Sequence, residues 1–293
     1  MEIRHLKAFV TLAGTLHFAQ AAEQLDLSAP TLTAHIQELE RALQVRLFNR
    51  TKRSVALTSA GEVFLIEARN TLEQLERTLN VGLRAGRGEL GRVEIGYVGS
   101  AVFFGVLQDQ CRRFHAAWPD VLVQTREMPT DQLASALEDG RIDIAFVRMP
   151  IVLPPSISSH MLIRDRFCVA LPADHPLASA SGAITARSLA REAFIVPEQI
   201  LGLLEVARRG KFTPDVVAAP GSLLTVLTHV SLGMGVAVVP SVLVEVMKLP
   251  NVVFRELAGA AIDSEVAALH RRHERAPAVR HFIEQIKRTT ARA

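Results

Sequence analysis

The sequence predicts a two-part fold: a small helical domain carrying a β-hairpin, one long linker helix, and an α/β domain in two lobes. Three observations predict it. Residues 1–58 hold three short amphipathic helices and a hairpin with a basic tip. Residues 59–90 carry a narrow apolar seam that ends in a glycine-rich stretch. Residues 91–293 alternate short apolar strands with helices.

In the first helix, Leu6, Phe9, Val10 and Ala13 share one face. Phe18 to Leu43 then reads as two helices joined by a tight polar turn, with Ser28 where an N-cap is wanted and Pro30 in a first turn that tolerates proline. Leu32, Ile36, Leu39 and Leu43 form a stripe facing a core. Ser28, Ala29, Pro30, Thr31, Thr33, Ala34 and Gln37 lie off the stripe, at the cap and on the outer face; they are small or hydrogen-bonding. Such a face enters a DNA major groove without steric conflict, whereas the same residues alone would also serve an ordinary helical hairpin. The stretch from Leu47 to Thr58 reads as two strands around a basic tip, a wing beside a helix-turn-helix. Arg50, Lys52 and Arg53 at that tip suit phosphate contacts, which fix register without reading bases.

A long helix follows, from Thr58 or Ser59 to about Arg84. Leu65, Ala68, Leu72, Leu75 and Leu79 alternate spacings of three and four, the seam of a coiled coil, which predicts pairing with a second copy. A two-fold dimer presents two recognition helices to two half-sites, so the DNA expected is a pseudo-palindromic duplex. Gly82, Gly86, Gly88 and Gly91 then break the helix and mark a hinge.

Beyond it, Val93–Val98, Val121–Glu127 and Ile142–Val147 read as strands separated by helices from about Phe104 to Ala117 and Asp131 to Asp139. A second group follows: Phe167–Leu171, Ala193–Val196, Val216–Ala218 and Val236–Val239, with a helix at Leu223–Leu232. Late strands at Val252–Leu257 and Glu265–Leu269 and a helix at Ala278–Lys287 close the chain. The alternation predicts parallel sheets in two subdomains with a ligand cleft between them. Ligands bind such sheets at the carboxyl ends of strands. There, Gly99-Ser100-Ala101 and Met128-Pro129-Thr130 each offer a hydroxyl and free backbone N–H groups at a helix start, a setting that suits a carboxylate, with Thr130 placed to cap the helix from Asp131.

Composition narrows the classes. A net charge of +3 does not make a general polycation, so a nucleic-acid footprint must be local. No apolar run is near membrane-spanning length and no export signal opens the chain, which points to a cytoplasmic protein without a membrane partner. Cys111 and Cys168 are far apart, without a Cys-x-x-Cys spacing, and are expected to be buried. His270 and His273 flank two arginines that would repel a cation, so no metal or other cofactor is expected.

The order of residues Leu6, Phe9, Phe18, Ala21, Ala22, Leu25, Leu27-Ser28-Ala29-Pro30, Leu39-Glu40, Leu47-Phe48-Asn49-Arg50 and Leu57-Thr58-Ser59-Ala60-Gly61 resembles the N-terminal region of LysR-type transcriptional regulators. That family usually has Gln where this chain has Ala29 and Ser-Arg where it has Thr33-Ala34. Its usual base and phosphate contacts therefore do not transfer unchanged, although Ala29 can meet a thymine methyl and Thr33 a phosphate or base edge. Gly140 to Ala145 and Gly233 to Pro240 extend the resemblance and imply the two-lobed fold shared with periplasmic solute-binding proteins. On that reading lobe I is 91–161 with 268–293, and lobe II is 162–267. Ile95 to Ser100 and Glu127 to Thr130 resemble regulators of aromatic-compound breakdown that answer to muconate-like diacids, where the matching serine and threonine hold an effector carboxylate. By the same resemblance Ser100, Ala101 and Thr130 border the effector, Arg148 balances charge, and Pro197, Glu198 and Gln199 face it from the other lobe. Glu198 departs from what an anionic ligand prefers. Phe103 and Phe104 form an apolar wall or belong to the core.

The function implied is a DNA-binding regulator, a homodimer or homotetramer, whose C-terminal domain senses a small anionic or aromatic metabolite, with RNA polymerase as a further candidate partner. Two rivals are an enzyme on the same two-lobed scaffold, for which no acid/base set can be assembled around Ser100 and Thr130, and a DNA-binding protein with an inert C-terminal half.

Overall fold

The computed structural model describes residues 1–51 and 54–290 and separates two compact units, Met1–Arg84 and Ala85–Ala293. In the first, α1 (Ile3–Thr15), α2 (Phe18–Gln24) and α3 (Ala29–Leu43) precede the hairpin β1 (Phe48–Arg50) and β2 (Val55–Leu57), and α4 (Ser59–Gly86) follows. The predicted stripe drives the packing: Leu32, Ile36 and Leu39 are wholly buried against Leu6, Phe9 and Leu12 of α1. Phe9 sits between Phe48 of the hairpin and Phe64 of α4, with ring centroids 5.3 and 5.1 Å away. Ser28 caps α3 as its sequence requires, its hydroxyl accepting from the Thr31 amide at 3.2 Å.

The linker seam divides. Ala68 is buried and Leu65 and Leu72 pack on the helical core, so the first half of α4 closes its own domain. Leu79, together with Val63, Ile66, Val81 and Leu83, stays exposed. The heptad pattern thus serves two purposes: an apolar spacing of three and four fits a three-helix core as well as a second copy.

In the second unit, β3 (Gly91–Tyr97), α5 (Val106–Ala117), β4 (Val121–Glu127), α6 (Thr130–Glu138) and β5 (Ile144–Met149) build lobe I. Then come β6 (Ile157–Pro172), β7 (Ala193–Pro197), α7 (Leu201–Gly210), β8 (Asp215–Gly221), α8 (Leu223–Ser231), β9 (Ala237–Pro240), α9 (Leu243–Val246) and β10 (Val252–Glu256). The chain returns through β11 (Asp263–Arg271) and ends in α10 (Pro277–Thr290).

The main sheet runs β10-β6-β11-β5-β3-β4, with β9 also paired to β6, and β7-β8 forms a separate pair. The expectation of parallel sheets is corrected. Only β3 with β4, β3 with β5, and β7 with β8 are parallel; β6 and β11 run antiparallel to their neighbours. β6 pairs first with β11 and then with β9 and β10, so along this strand the outward passage between lobes is a change of partner. β6 pairs with β11 from Ile157 to Arg166 and with β9 from Phe167, and the β6–β11 ladder shifts register between Val266 and Ala267, opposite Ile163 and Met161.

Lobe I packs α5 and α10 together through Phe114 and Phe282, ring centroids 4.8 Å apart. At the end of α5, Trp118 stacks on His281 of α10 at 4.2 Å, and His281 Nε2 donates to the Arg87 carbonyl at 2.8 Å. Gly88 beside it has φ +74, and an added Cβ would lie 2.7 Å from the backbone of Pro277 and Ala278, so this exit from the linker requires glycine.

Candidate DNA-binding surface and effector cavity

The outer face of α3 matches its sequence pattern. Ser28, Ala29, Pro30, Thr31, Ala34 and Gln37 are exposed and Thr33 is half-buried. Two of the hydroxyls already serve the helix: Ser28 caps it and lies 2.7 Å from the Thr31 hydroxyl, and Thr33 donates to the Ala29 carbonyl at 2.9 Å. Their remaining hydrogen-bonding capacity, the Ala29 and Ala34 methyls and the Gln37 amide are what this face presents to a partner.

Arg50 is not a free surface cation. Its Nη2 pairs with Glu40 Oε2 at 2.9 Å, and its guanidinium stands 5.2 Å over the Phe18 ring. The other Glu40 oxygen accepts from the Leu47 and Phe48 amides at 2.9 and 3.1 Å. Glu40 therefore joins the recognition helix to the wing, a role that sequence reasoning missed because a glutamate late in a helix reads as surface. Lys52 and Arg53 lie outside the described residues.

In the second unit a cavity of about 880 Å³ opens between the lobes. Ser100, Arg148, Pro197, Glu198 and Gln199 line it, with Tyr97, Phe103 and Phe167 giving it aromatic surface. Phe103 thus takes the wall position, whereas Phe104 packs half-buried on the core, its ring 5.7 Å from the Arg148 guanidinium. Two expectations are corrected. Ala101 is fully buried in the lobe I core and does not border the cavity. Thr130 is not among the residues that line the cavity and does not cap α6: it is the first helical residue, Pro129 holds the cap position, and the Thr130 hydroxyl is buried without a partner. Proline fits there because its missing N–H would have had no helical acceptor.

Arg148 is the pivot of the cavity floor. It is buried, and burial pulls its pKa down to about 10, against the opposing pull of Asp165. Its Nη1 donates to the Ser264 hydroxyl at 2.6 Å and faces Asp165 Oδ2 at 3.5 Å, while Nη2 donates to the Ser100 carbonyl at 2.8 Å. Nε has no partner. Arg148 thereby holds the Gly99–Ala101 turn by its backbone. Gly99 lies against the Glu127 carboxylate, which would have to swing away to admit a Cβ there. The other Asp165 oxygen accepts from the Ser241 hydroxyl at 2.6 Å, so one carboxylate ties lobe I to the lobe II strand end. Gln199 adds a second tie, donating to the Arg148 carbonyl at 3.0 Å with its own Oε1 buried and unpaired. Cys111 lines the cavity too, but burial pushes its thiol up to about 11, and Cys168 to about 12, so both remain protonated near neutrality. Ser222, at the start of α8, completes the lobe II side. No group of three metal-ligating side chains and no helix able to cross a membrane occurs among the described residues.

The two units match two halves of one family. Residues 3–62 match the bacterial regulatory helix-turn-helix protein of the lysR family, and residues 86–291 match the LysR substrate binding domain. The chain is a LysR-family transcriptional regulator. It is 34% identical to the HTH-type transcriptional regulator YnfL of Escherichia coli (strain K12), covering 96% of each chain. It is also 34% identical to HcaR, the Hca operon transcriptional activator of the same organism, over 99% of each. The crystal structure of full-length CbnR complexed with its target DNA shares the fold, with a TM-score of 0.83 at 24% identity over 99% of this chain and 100% of that one. This LysR regulator thus pairs a DNA-binding domain with an effector-binding domain, and the latter holds the functional residues that sequence reading did not reach. Asp165 and Ser264 meet Arg148, and Ser241 meets Asp165, only through folding, and no local pattern marks them.

Proposed function

We propose that this LysR regulator senses a small aromatic carboxylate bound between its lobes, and that binding shifts the population of subunit arrangements that sets the spacing of its recognition helices on DNA. The observation that carries this reading is Arg148: a buried guanidinium whose Nε lacks a partner, in a cavity walled by Tyr97, Phe103 and Phe167. Asp165 faces Nη1 of this cation but leaves its Nε without an acceptor, which a ligand carboxylate can supply, and aromatic walls suit a planar ligand. The resemblance of the Ser100 and Thr130 turns to those of regulators of aromatic-compound breakdown supports the same class.

DNA contact falls to the outer face of α3, from Ser28 to Gln37, with Lys52 and Arg53 on phosphates and Arg50, paired with Glu40, bracing the wing against α3. The exposed residues Val63, Ile66 and Leu79 of α4 support pairing into a homodimer, or a homotetramer, on a pseudo-palindromic duplex. The protein acts in the cytoplasm, with RNA polymerase as a downstream partner. It binds its effector without turning it over and needs neither metal nor cofactor. The cavity lining carries no histidine, which supports a sensor over an enzyme.

A thermal-shift and calorimetric series with benzoate and related aromatic acids tests this. Ser100→Ala should weaken acid binding about tenfold, the worth of one lost hydrogen bond to a charged group, and leave affinity for the operator unchanged. Unaltered acid affinity in that variant would remove Ser100 from the site.

A further inference from the structure

The N-terminus of α6, predicted to receive an effector carboxylate, already holds one. The Thr130 amide donates to Glu198 Oε1 at 2.5 Å, and Glu198 comes from the opposite lobe, where its own amide is tied to the Gly221 carbonyl at 2.9 Å. The unpaired N–H groups and partial positive charge at a helix start favour an anion there, and this chain supplies it from within. The charges lining the cavity agree: Arg148 alone is cationic, against the carboxylates of Glu127 and Glu198. One place for an external carboxylate remains, beside Arg148, where Asp165 faces Nη1 but the buried Nε is unpartnered.

We propose that Glu198 is a resident carboxylate that fills the second anion position of the cavity, so that the site accepts acids with a single carboxylate and rejects diacids of the same skeleton. The proposal rests on the carboxylate-effector reading above. A diacid that keeps one end on Arg148 must bring its other end against Glu198 or expel it from the Thr130 amide. Either event lowers affinity by about tenfold or more, because like charges a few ångströms apart repel more strongly in a partly enclosed site than in water.

The test uses matched pairs on the full chain by calorimetry: hexa-2,4-dienoate with hexa-2,4-dienedioate, and benzoate with benzene-1,4-dicarboxylate. The wild type should bind the monoacid of each pair about tenfold tighter than the diacid. Glu198→Ala, which vacates the α6 position, should shift that ratio at least about tenfold towards the diacid. Glu198→Gln keeps an acceptor for the Thr130 amide but no charge, so its ratio should fall between the two. Glu198 is exposed, so both variants should fold, and an unchanged circular dichroism spectrum verifies that. If the monoacids bind and the ratio is the same in all three proteins, Glu198 plays no part in selection and this proposal alone falls. If no acid binds any form, the carboxylate-effector reading falls and takes this proposal with it.

Discussion

The outer face of the recognition helix and the cavity treat their polar atoms differently. Around α3 and the wing, Glu40 engages two backbone amides and a guanidinium, and Ser28 is closed on its cap. In the cavity lining, Arg148 and Gln199 have Nε and Oε1 buried without partners, and Thr130 Oγ1, at the start of α6 beside Glu198, is a third of the six such atoms among the described residues. A reader of DNA needs the groups of its outer face held in one geometry before the partner arrives, and here the atoms without a hydrogen-bond partner, His5 Nε2 and His35 Nδ1, are buried away from that face. A sensor is better left with unmet hydrogen-bonding capacity, because the ligand that meets it then changes the balance between conformations.

The comparison can be broken first at Asp165. Asp165→Ala leaves Arg148 as an uncompensated buried charge and unties Ser241, so the effector domain should lose about 3–5 kcal/mol in denaturant unfolding. A loss below about 1 kcal/mol would mean the pair adds nothing beyond its own desolvation. Next comes Glu40→Ala, which strands the Leu47 and Phe48 amides and releases Arg50; about 2 kcal/mol of stability should go from the DNA-binding domain, with a parallel loss of DNA affinity. Intact DNA binding at full stability would show that the wing needs no tether to α3.

A smaller effect concerns pH. The folded Cys111 thiol titrates near 11 rather than at 9.0, so above pH 9.0 the unfolded chain gives up a proton that the folded chain keeps. Stability from this group is therefore complete below pH 9.0 and should decline progressively towards pH 11; Cys111→Ala should flatten that decline in a pH-resolved melting series. Smallest in stability is Leu79→Glu. Leu79 is exposed, so unfolding should change by no more than about 0.5 kcal/mol, while light scattering should report loss of self-association. An unaltered assembly would move the pairing surface elsewhere.

What the sequence revealed follows the range of each interaction. Ser28 as a cap and the stripe at Leu32, Ile36 and Leu39 are local, so periodicity and residue type were sufficient to place them. The first half of β6 was invisible because Ile157 to Arg166 alternates polar and apolar residues weakly and contains three charges. The helix α7 was missed because Gly202 and Gly210 interrupt its pattern. At the cavity, Ser100, Arg148, Pro197, Glu198 and Gln199 came together as the family resemblance implied, but the contacts that define their chemistry could not be read. Arg148 meets Ser264 across 116 residues, and Glu198 reaches Thr130 across 68. Thr130 looked like a cap because threonine caps helices commonly, and only the backbone shows that Pro129 takes that position.

The stack of Trp118 on His281 has a practical consequence. Trp118 is the only tryptophan in the chain, so fluorescence excited selectively in the indole band comes from a single residue. Its imidazole neighbour is bonded to the Arg87 carbonyl, at the point where the linker joins lobe I. The chain thus carries its own optical gauge at that joint: brightness and colour of the emitted light should change whenever α10 and Arg87 separate, with no dye attached and no residue replaced.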